Sequence, residues 1–513
     1  MASVRRQIFA GALLLTTGLA GCAVGPDYQM PILSVPETFI GKPVEHVSKS
    51  EERPSVDLNQ WWRSLRDREL DSLIARALQS NLDLEIALTR LQEAQAQMGV
   101  EIGQALPSVD GSGGAATGTG TDNTNGRALS LLRSGDNRTN LTRIDELGGL
   151  AASWELDIFG KFRRRIEAAN ADAEALADAR DWVFVTVAAD VARAYLDMRA
   201  LQGELSVLQL NIRVAQNGLD LAQTRFNRGL TNEMDVTLAQ RQLATLQSDV
   251  APLEAQIAVS QHVIATLLGQ FPEDLAKELA KPGPIPVLPA HIPVGLPVDL
   301  LRRRPDIHEA ERRLAAATAR IGVATADLFP SVIVSAAGGA QGGPRTSASV
   351  IPLTMIGSLG PALYWPVLDF GTLDAKIEIA DLQTHELMVS YRQSILAAVQ
   401  QVDDAIALFR AEQDRLRNLD RALAAAHKTT KLATEQYDRG LTDFLNVVDA
   451  ERQEFDLEEQ QVAARRKAAQ ELIALYKALG GGWPLNELLP PLRQPQPAII
   501  AAARQLFGPQ PRP

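Results

Sequence analysis

The stretch from Thr372 to Arg439 runs for 68 residues without a single glycine or proline. Because glycine and proline are the residues that interrupt helices, this stretch predicts one continuous helix. At 1.5 Å per residue such a helix is about 100 Å long, several times the length of an ordinary globular helix. A helix of this length needs equally long partners to bury its apolar side, so the chain must be largely helical and elongated.

A similar stretch in the first half of the chain extends from Lys161 to Asn217 and contains only Gly203 as a potential break. Apolar residues recur along it at alternating spacings of four and three, the pattern of a coiled-coil seam. A second seam begins at Val236, after the tight turn Arg228-Gly229-Leu230-Thr231, so the sequence predicts an antiparallel helical hairpin. Pro252 lies in its second helix and predicts a local bend or break. The first seam consists of Val187, Val191, Ala194, Met198, Leu201, Leu205, Leu208, Ile212, Ala215, Leu219, Ala222 and Phe226.

The two halves of the chain repeat one another. Eleven residues between Asp83 and Val109 recur 223 residues later, and the turn Arg228-Gly229-Leu230-Thr231 recurs 211 residues later as Arg439-Gly440-Leu441-Thr442. Constant offsets that hold across several motifs indicate an internal duplication. Each repeat predicts the same order of elements: helix, strand hairpin, long helix, tight turn and helix.

The strand candidates lie between the helices. Residues 331–335 are rich in β-branched side chains, and apolar residues alternate with smaller or polar ones over 358–365. The first repeat has weaker equivalents at 108–121 and 150–156, separated by a polar loop over 121–141. The chain therefore offers four strands. Single-chain membrane barrels begin at eight strands, so a chain that crosses a membrane in this way must pool its strands with copies of itself.

The N-terminus has the layout of a secretory signal peptide, with a basic start, an apolar stretch over residues 8–19 and then small residues. The apolar stretch is too short to span a bilayer. The motif Leu19-Ala20-Gly21-Cys22 resembles the bacterial lipoprotein box, which implies acylation of Cys22 and removal of residues 1–21. Ala23 stands where an aspartate would resemble an inner-membrane retention signal, so the resemblance implies the outer membrane. An ordinary signal peptide with an incidental cysteine is the alternative.

Composition and motif content exclude several function classes. The chain has 51 Lys and Arg against 62 Asp and Glu, a formal net charge of −11, which argues against nucleic acid as a partner. Cys22 is the only cysteine, and the six histidines are scattered without metal-ligand spacing. No Walker loop or nucleophile elbow is present in the sequence. We therefore expect no enzymatic activity, no cofactor and no metal site.

These features together resemble the TolC-like outer-membrane efflux factors, and most closely their lipoprotein branch, NodT, which serves RND-type pumps. The motifs Trp61-Trp62, Asn81-Leu82-Asp83-Leu84, Phe329-Pro330-Ser331 and Leu368-Asp369-Phe370-Gly371 stand where that family has similar ones. The resemblance implies a mainly α fold with a small β part, organised as a homotrimer. In it, four strands from each chain form a 12-stranded transmembrane β-barrel, which continues into an α-helical barrel of long antiparallel coiled-coil hairpins.

The resemblance also implies a function. Such proteins are passive outer-membrane exit ducts of tripartite pumps, and they conduct small toxic compounds from an inner-membrane transporter and a periplasmic adaptor to the outside. One alternative keeps the duct but changes its cargo to metal cations or to polypeptides of type I secretion. A second alternative, from a different class, is a lipid-anchored periplasmic coiled-coil scaffold that does not conduct.

The sequence divides into five segments on this interpretation. Residues 1–21 are the signal peptide, and residues 22–60 are a lipid-anchored, extended N-terminal segment. Residues 61–285 form the first structural repeat, and residues 286–482 form the second. Residues 483–513 are a proline-rich C-terminal tail.

The two turns are the first candidate sites. In the resembling family they form the periplasmic tip and meet the adaptor, which implies adaptor contact by each residue of both turns. The alternative is a purely structural role, because Gly229 and Gly440 suit a sharp helix reversal and arginines suit a helix C-terminus. The candidate contact residues are Arg228, Gly229, Leu230, Thr231, Arg439, Gly440, Leu441 and Thr442.

A gate is the second candidate site. Asp449 stands at the position of a family gate aspartate, and in a trimer it would form a ring of three carboxylates that attracts cations. Leu445 aligns with an apolar constriction, and Asn446 stands where some members carry a second aspartate. Tyr437 aligns with a gate tyrosine whose partner on the facing turn is Asp235. A solvated carboxylate on an exposed helix face is the alternative for Asp449.

Overall fold

The computed structural model describes residues 23–31, 36, 38–40, 58–118, 143–289, 297, 303–342 and 353–482. Several predictions lie outside these described residues. They are the signal peptide, acylation of Cys22, the loop over 121–141 and the proline-rich tail.

The described residues form two similar series of helices and strands. A short 3₁₀ helix, Leu58–Leu65, precedes the first series. The first series comprises α1 Arg68–Ser80, α2 Leu82–Gln104, β1 Ser108–Gly118, β2 Arg143–Leu156, α3 Lys161–Asn227, α4 Glu233–Ser248, α5 Val250–Leu267 and α6 Pro272–Leu279. The second series comprises α7 Pro305–Ala326, β3 Ser331–Gly342, β4 Leu353–Tyr364, α8 Thr372–Asp438 and α9 Phe444–Ala478.

The long helices are confirmed. The helices α3 and α8 each contain 67 residues, which corresponds to about 100 Å. Gly203 does not interrupt α3, because the residues around it keep the helical hydrogen-bond ladder. Within the described part of the chain, none of the helices combines the length and the apolar character that crossing a bilayer would require.

Proline breaks the second helix of the first hairpin, as its position predicts. The helix α4 ends at Ser248 and α5 begins at Val250. Pro252 has no N–H group to donate to the carbonyl of Ser248, four residues earlier, so the ladder is lost at this point. The second hairpin has no proline at the corresponding place, and α9 is a single helix of 35 residues.

The four strands form one antiparallel sheet in the order β1-β2-β3-β4, so the predicted strands are confirmed. The hairpin β1–β2 pairs Ser108 with Ser153, and the hairpin β3–β4 pairs Ser331 with Tyr364. The two repeats meet where β2 pairs with β3, with Trp154 opposite Val334. Consequently β1 and β4 are the two edges of the sheet within the described residues.

The described residues contain several separate apolar clusters, and the largest of them surrounds the middle of α3. There the rings of Trp61 and Tyr476 stack with centroids 5.0 Å apart. The buried guanidinium of Arg304 ties three elements together, through Asp306 on α7 at 2.6 Å, Gln401 on α8 at 3.0 Å and the carbonyl of Ala478 on α9 at 3.0 Å. Closer to the sheet, α3 and α7 pack through small side chains, which lets the two helices approach closely. The buried alanines that cluster at this contact are Ala171, Ala315 and Ala316.

Candidate functional site at the helical turns

The turns that end α3 and α8 have the same backbone structure. In the first, Gly229 has φ of +71° and donates to the carbonyl of Phe226 at 2.8 Å, while Leu230 donates to the carbonyl of Arg225 at 2.9 Å. In the second, Gly440 has φ of +72° and the equivalent two hydrogen bonds are 2.8 and 2.9 Å long. This pair of bonds is the Schellman motif, which needs a left-handed residue directly after the helix.

The two turns lie side by side and share one apolar cluster. Residues of both hairpins contribute to it, so the ends of the hairpins are packed against each other and do not stand apart. The rings of Tyr437 and Phe444, on either side of the second turn, are 5.1 Å apart. The buried members of the cluster are Ala222, Val236, Ala239, Tyr437, Phe444, Val447 and Val448.

A hydrogen-bond network crosses this cluster. Asp235, only 7% exposed, lies in the first turn of α4 and accepts a hydrogen bond from the Tyr437 hydroxyl at 3.3 Å and another from the Thr231 hydroxyl. Burial, together with the nearby Asp235 carboxylate, raises the pKa of Tyr437 above its ordinary value. Tyr437 therefore stays protonated and remains a hydrogen-bond donor. The structure thus brings together the two residues that the sequence paired across the turns, Asp235 and Tyr437.

Arg225 also belongs to this network, although it is not among the site residues predicted from the sequence. Its guanidinium donates to the carbonyls of Tyr437 at 2.9 Å and Asp438 at 3.1 Å, and it lies 4.6 Å from the centre of the Tyr437 ring. The sequence contains one indication of this residue. The first repeat has an arginine where the second repeat has Gln436, so the duplication does not repeat the positive charge. That indication does not say that the side chain reaches the other hairpin.

The outward residues of both turns are exposed. Arg228 and Arg439 point into solvent, and the apolar side chains of Leu230 and Leu441 are 61% and 73% exposed. Exposed leucines at the end of an elongated molecule form an apolar surface that a partner helix can cover. Met234, 63% exposed, extends this surface.

The other gate candidates lie on a different face of α9. Leu445, Asn446 and Asp449 are exposed, whereas Phe444 and Val447 are buried in the shared cluster. Leu445 and Asp449 are four residues apart and so occupy one stripe of the helix. The structure therefore separates the gate candidates into a buried pair, Asp235 with Tyr437, and an exposed row on α9.

The opposite end of the long helices carries the N-terminal segment. The backbone N–H of Val24 donates to the carbonyl of Phe159 at 3.1 Å, directly before α3 begins. Arg164 is buried and donates to the carbonyls of Val24 and Gly25 at 3.2 and 3.3 Å, and to Asp27 at 2.7 Å. The short segment from Val24 to Asp27 is therefore fixed where the sheet meets the helices.

An exposed apolar surface lies beside the same junction. It follows β4 and ends at Phe370, which is 90% exposed. The indole of Trp365 donates to the carbonyl of Leu328 at 3.0 Å, so its ring is oriented against the end of α7. Aromatic rings with one polar handle are typical of membrane–water interfaces. The exposed members of this surface, here called the collar, are Tyr364, Trp365, Val367, Leu368 and Phe370.

Comparison with known proteins gives consistent matches along most of the chain. The family model described as outer membrane efflux protein matches residues 73–270 and 296–481. Nodulation protein T of Rhizobium leguminosarum bv. trifolii is 31% identical over 469 residues, which cover 91% of this chain and 95% of the relative. The cation efflux system protein CusC of Escherichia coli strain K12 is 28% identical over 481 residues, covering 92% and 98%.

A solved structure, that of the outer-membrane channel OprN, is similar over the same extent. It is 33% identical in sequence, with a TM-score of 0.78, and the alignment covers 90% of this chain and 100% of the channel chain.

Proposed function

This chain belongs to the outer membrane efflux protein family, and from that premise we propose that it is the passive exit duct of a tripartite efflux pump. It is a transport protein of the outer membrane and not an enzyme. The resemblance to TolC-like efflux factors of the NodT branch is thereby confirmed. One observation carries the proposal: helices of about 100 Å connect an apolar collar beside a sheet to two paired turns at the far end.

We propose that the working form is a homotrimer. The edge strands β1 and β4 leave backbone groups that a neighbouring copy can pair, and three copies with four strands each close a 12-stranded barrel. The helix α8 also carries an exposed apolar stripe. Leu382, Val389 and Leu396 in this stripe are seven residues apart, which is the heptad spacing of a helix–helix contact. The stripe consists of Ile379, Leu382, Val389 and Leu396, each more than half exposed.

The collar is the part of the molecule that we propose lies at the membrane surface. Aromatic and apolar residues exposed beside a sheet are stable where lipid headgroups begin. The fixed segment from Val24 to Asp27 reaches the same level, because Val24 is bonded to Phe159. We propose that Cys22 is acylated and that its acyl chains enter the leaflet beside the collar.

At the far end, the paired turns are proposed to contact the periplasmic adaptor through Leu230, Leu441 and the flanking arginines. Asp449 would form a ring of three carboxylates on the lumen side, with Leu445 as the apolar constriction one helical turn nearer the tip. The end of the duct at the paired turns is here called the mouth. The buried pair of Asp235 and Tyr437 would hold the two hairpins of each chain together there.

We test the duct by single-channel conductance of the purified trimer in planar bilayers. Wild-type protein is expected to give discrete, cation-selective openings, because three carboxylates near a narrow mouth attract cations. Asp449→Asn should move the ratio of cation to anion permeability towards one. The matched control is Glu254→Gln, which removes one exposed carboxylate on α5, far from the mouth.

Two results would contradict these assignments. A stable trimer that never conducts, in wild type or variant, would favour the lipid-anchored scaffold. Openings whose selectivity is the same in Asp449→Asn and wild type would keep the duct but remove Asp449 from the gate.

The cargo is proposed to be small toxic compounds delivered by an RND-type pump. The similarity to the cation efflux protein CusC favours metal cations as the second candidate. Deleting the gene and measuring growth inhibition by organic toxicants and by metal salts separates the two. Increased sensitivity to metal salts alone would overturn the first candidate.

A further inference from the structure

We propose that Arg225 is a positioning residue that ties the two hairpins of one protomer together and thereby sets how readily the mouth opens. The proposal rests on the proposed duct function, because opening has meaning only for a channel. It adds a third residue, Arg225, to the buried pair of Asp235 and Tyr437.

The first contact of Arg225 is with the end of the facing helix. The last carbonyls of an α-helix have no partners within the helix and carry the negative end of its dipole. The Arg225 guanidinium donates to two of them, on Tyr437 and Asp438, at 2.9 and 3.1 Å. Arg225 lies in the last turn of α3 and these carbonyls lie at the end of α8, so both hydrogen bonds join the two hairpins.

The second contact is with the Tyr437 ring. The guanidinium carbon lies 4.6 Å from the ring centre, a cation–π distance, and Tyr437 is only 2% exposed. The hydroxyl of the same ring donates to Asp235 on α4. Tyr437 of the second hairpin is therefore held by two charged residues of the first, Arg225 and Asp235. Arg225 acts on the mouth through this ring.

The chemistry of the site requires arginine. A planar guanidinium can stack on a ring and donate two hydrogen bonds from its edge in one conformation, which a lysine ammonium cannot do. The duplicated sequence does not repeat the feature, because Gln436 occupies the equivalent position on α8 and is exposed. The link is therefore one-sided: the first hairpin holds the second.

Opening of the mouth by separation of the hairpins would break both of these hydrogen bonds and the ring contact. A hydrogen bond from a charged donor typically changes a two-state ratio about tenfold or more. We therefore expect Arg225→Gln to raise the ratio of open to closed channel at least about tenfold. Arg225→Lys should give an intermediate value, since it retains the charge and loses the stacked geometry.

The experiment records open probability in planar bilayers for wild type, Arg225→Gln and Arg225→Lys. Arg213→Gln is the matched control, because it removes an exposed arginine of the same helix three turns earlier. Asp235→Asn is added alone and together with Arg225→Gln. Since both residues act through Tyr437, the double variant should open less than the product of the two single effects predicts. A merely structural role would lower trimer stability without this non-additivity.

Two outcomes overturn the proposal. One is an open probability of Arg225→Gln equal to that of Arg213→Gln, and the other is fully independent effects of Arg225→Gln and Asp235→Asn. Hydrogen exchange of the turn around Gly440 gives a readout that does not need conduction. If the trimer never conducts but the turn exchanges faster in Arg225→Gln than in Arg213→Gln, Arg225 does link the two hairpins and the proposed duct function is wrong. Unchanged exchange in such a trimer would reject both.

Discussion

Glu451 should make the stability of this protein depend on pH. It lies on α9 two residues beyond Asp449, and burial raises the pKa of its carboxyl group from 4.5 to about 7. The carboxylate of Glu454 adds to the rise, and Glu454 itself lies 2.6 Å from Nδ1 of His427 on α8. The folded protein holds this proton more tightly than the unfolded chain does. The contribution of Glu451 to the free energy of unfolding is therefore fully present below the pKa of the unfolded chain, and it is lost as pH rises through the pKa of the folded protein.

The magnitude follows from the two pKa values. Each difference of one in pKa corresponds to about 1.4 kcal/mol, so a rise from 4.5 to about 7 corresponds to up to about 3 kcal/mol per chain. Glu451→Gln removes the ionisation and keeps the shape of the side chain. The variant should therefore be about 3 kcal/mol more stable than wild type at about pH 8, and close to wild type at about pH 4.

Thermal unfolding of the detergent-solubilised trimer measures this difference. The entropy of unfolding is about 2 cal/mol/K per residue, or about 1 kcal/mol/K for a chain of this length, so the melting temperature should rise by about 3 °C at about pH 8. Glu254→Gln, at an exposed site of α5, is the control and should show no such difference. The reasoning would be refuted if the melting temperatures of Glu451→Gln and wild type differed by the same amount at both pH values. It would also be refuted if the variant had a lower melting temperature than wild type at the higher pH.

Three further predictions concern stability. Gly440→Ala places a Cβ on a residue with φ of +72° and should lower the free energy of unfolding by about 1–2 kcal/mol. Gly99→Ala lies inside α2 with open space around it and should raise the free energy of unfolding by about 1 kcal/mol. Urea unfolding compares the two variants. Gly25→Ala would put its Cβ 2.4 Å from the Cα of Gly322, so limited proteolysis should cut the N-terminal segment faster than in wild type. Arg304→Met breaks a buried ion pair and should cost about 3–5 kcal/mol in the same urea assay.

The long helices and their turns were predictable because their signals are local. The prediction for the second long helix began at Thr372 and ended at Arg439, one residue beyond the observed end of α8 at Asp438. The glycines of both turns have the left-handed backbone that their position after a helix requires. The break at Pro252 follows from the missing N–H of that residue alone. Each of these features is determined by interactions within about five residues.

The roles assigned to Asp449 and to the turn residues stay predictions, although the structure gives their positions. Asp235 and Tyr437 could be paired in advance only through the family resemblance, and the structure adds their burial and their hydrogen bond. The same resemblance gave no reason to select Arg225.

The sequence by itself determined the helices, the strands, the turns and the duplication, because hydrogen bonding and side-chain spacing along a chain set them locally. The tertiary structure alone decided which charged groups are buried. Arg225 reaches carbonyls more than 200 residues away, and the pKa of Glu451 depends on how α9 is covered. Desolvation and long-range contacts depend on the packing of distant segments, and no pattern within one helix contains that information.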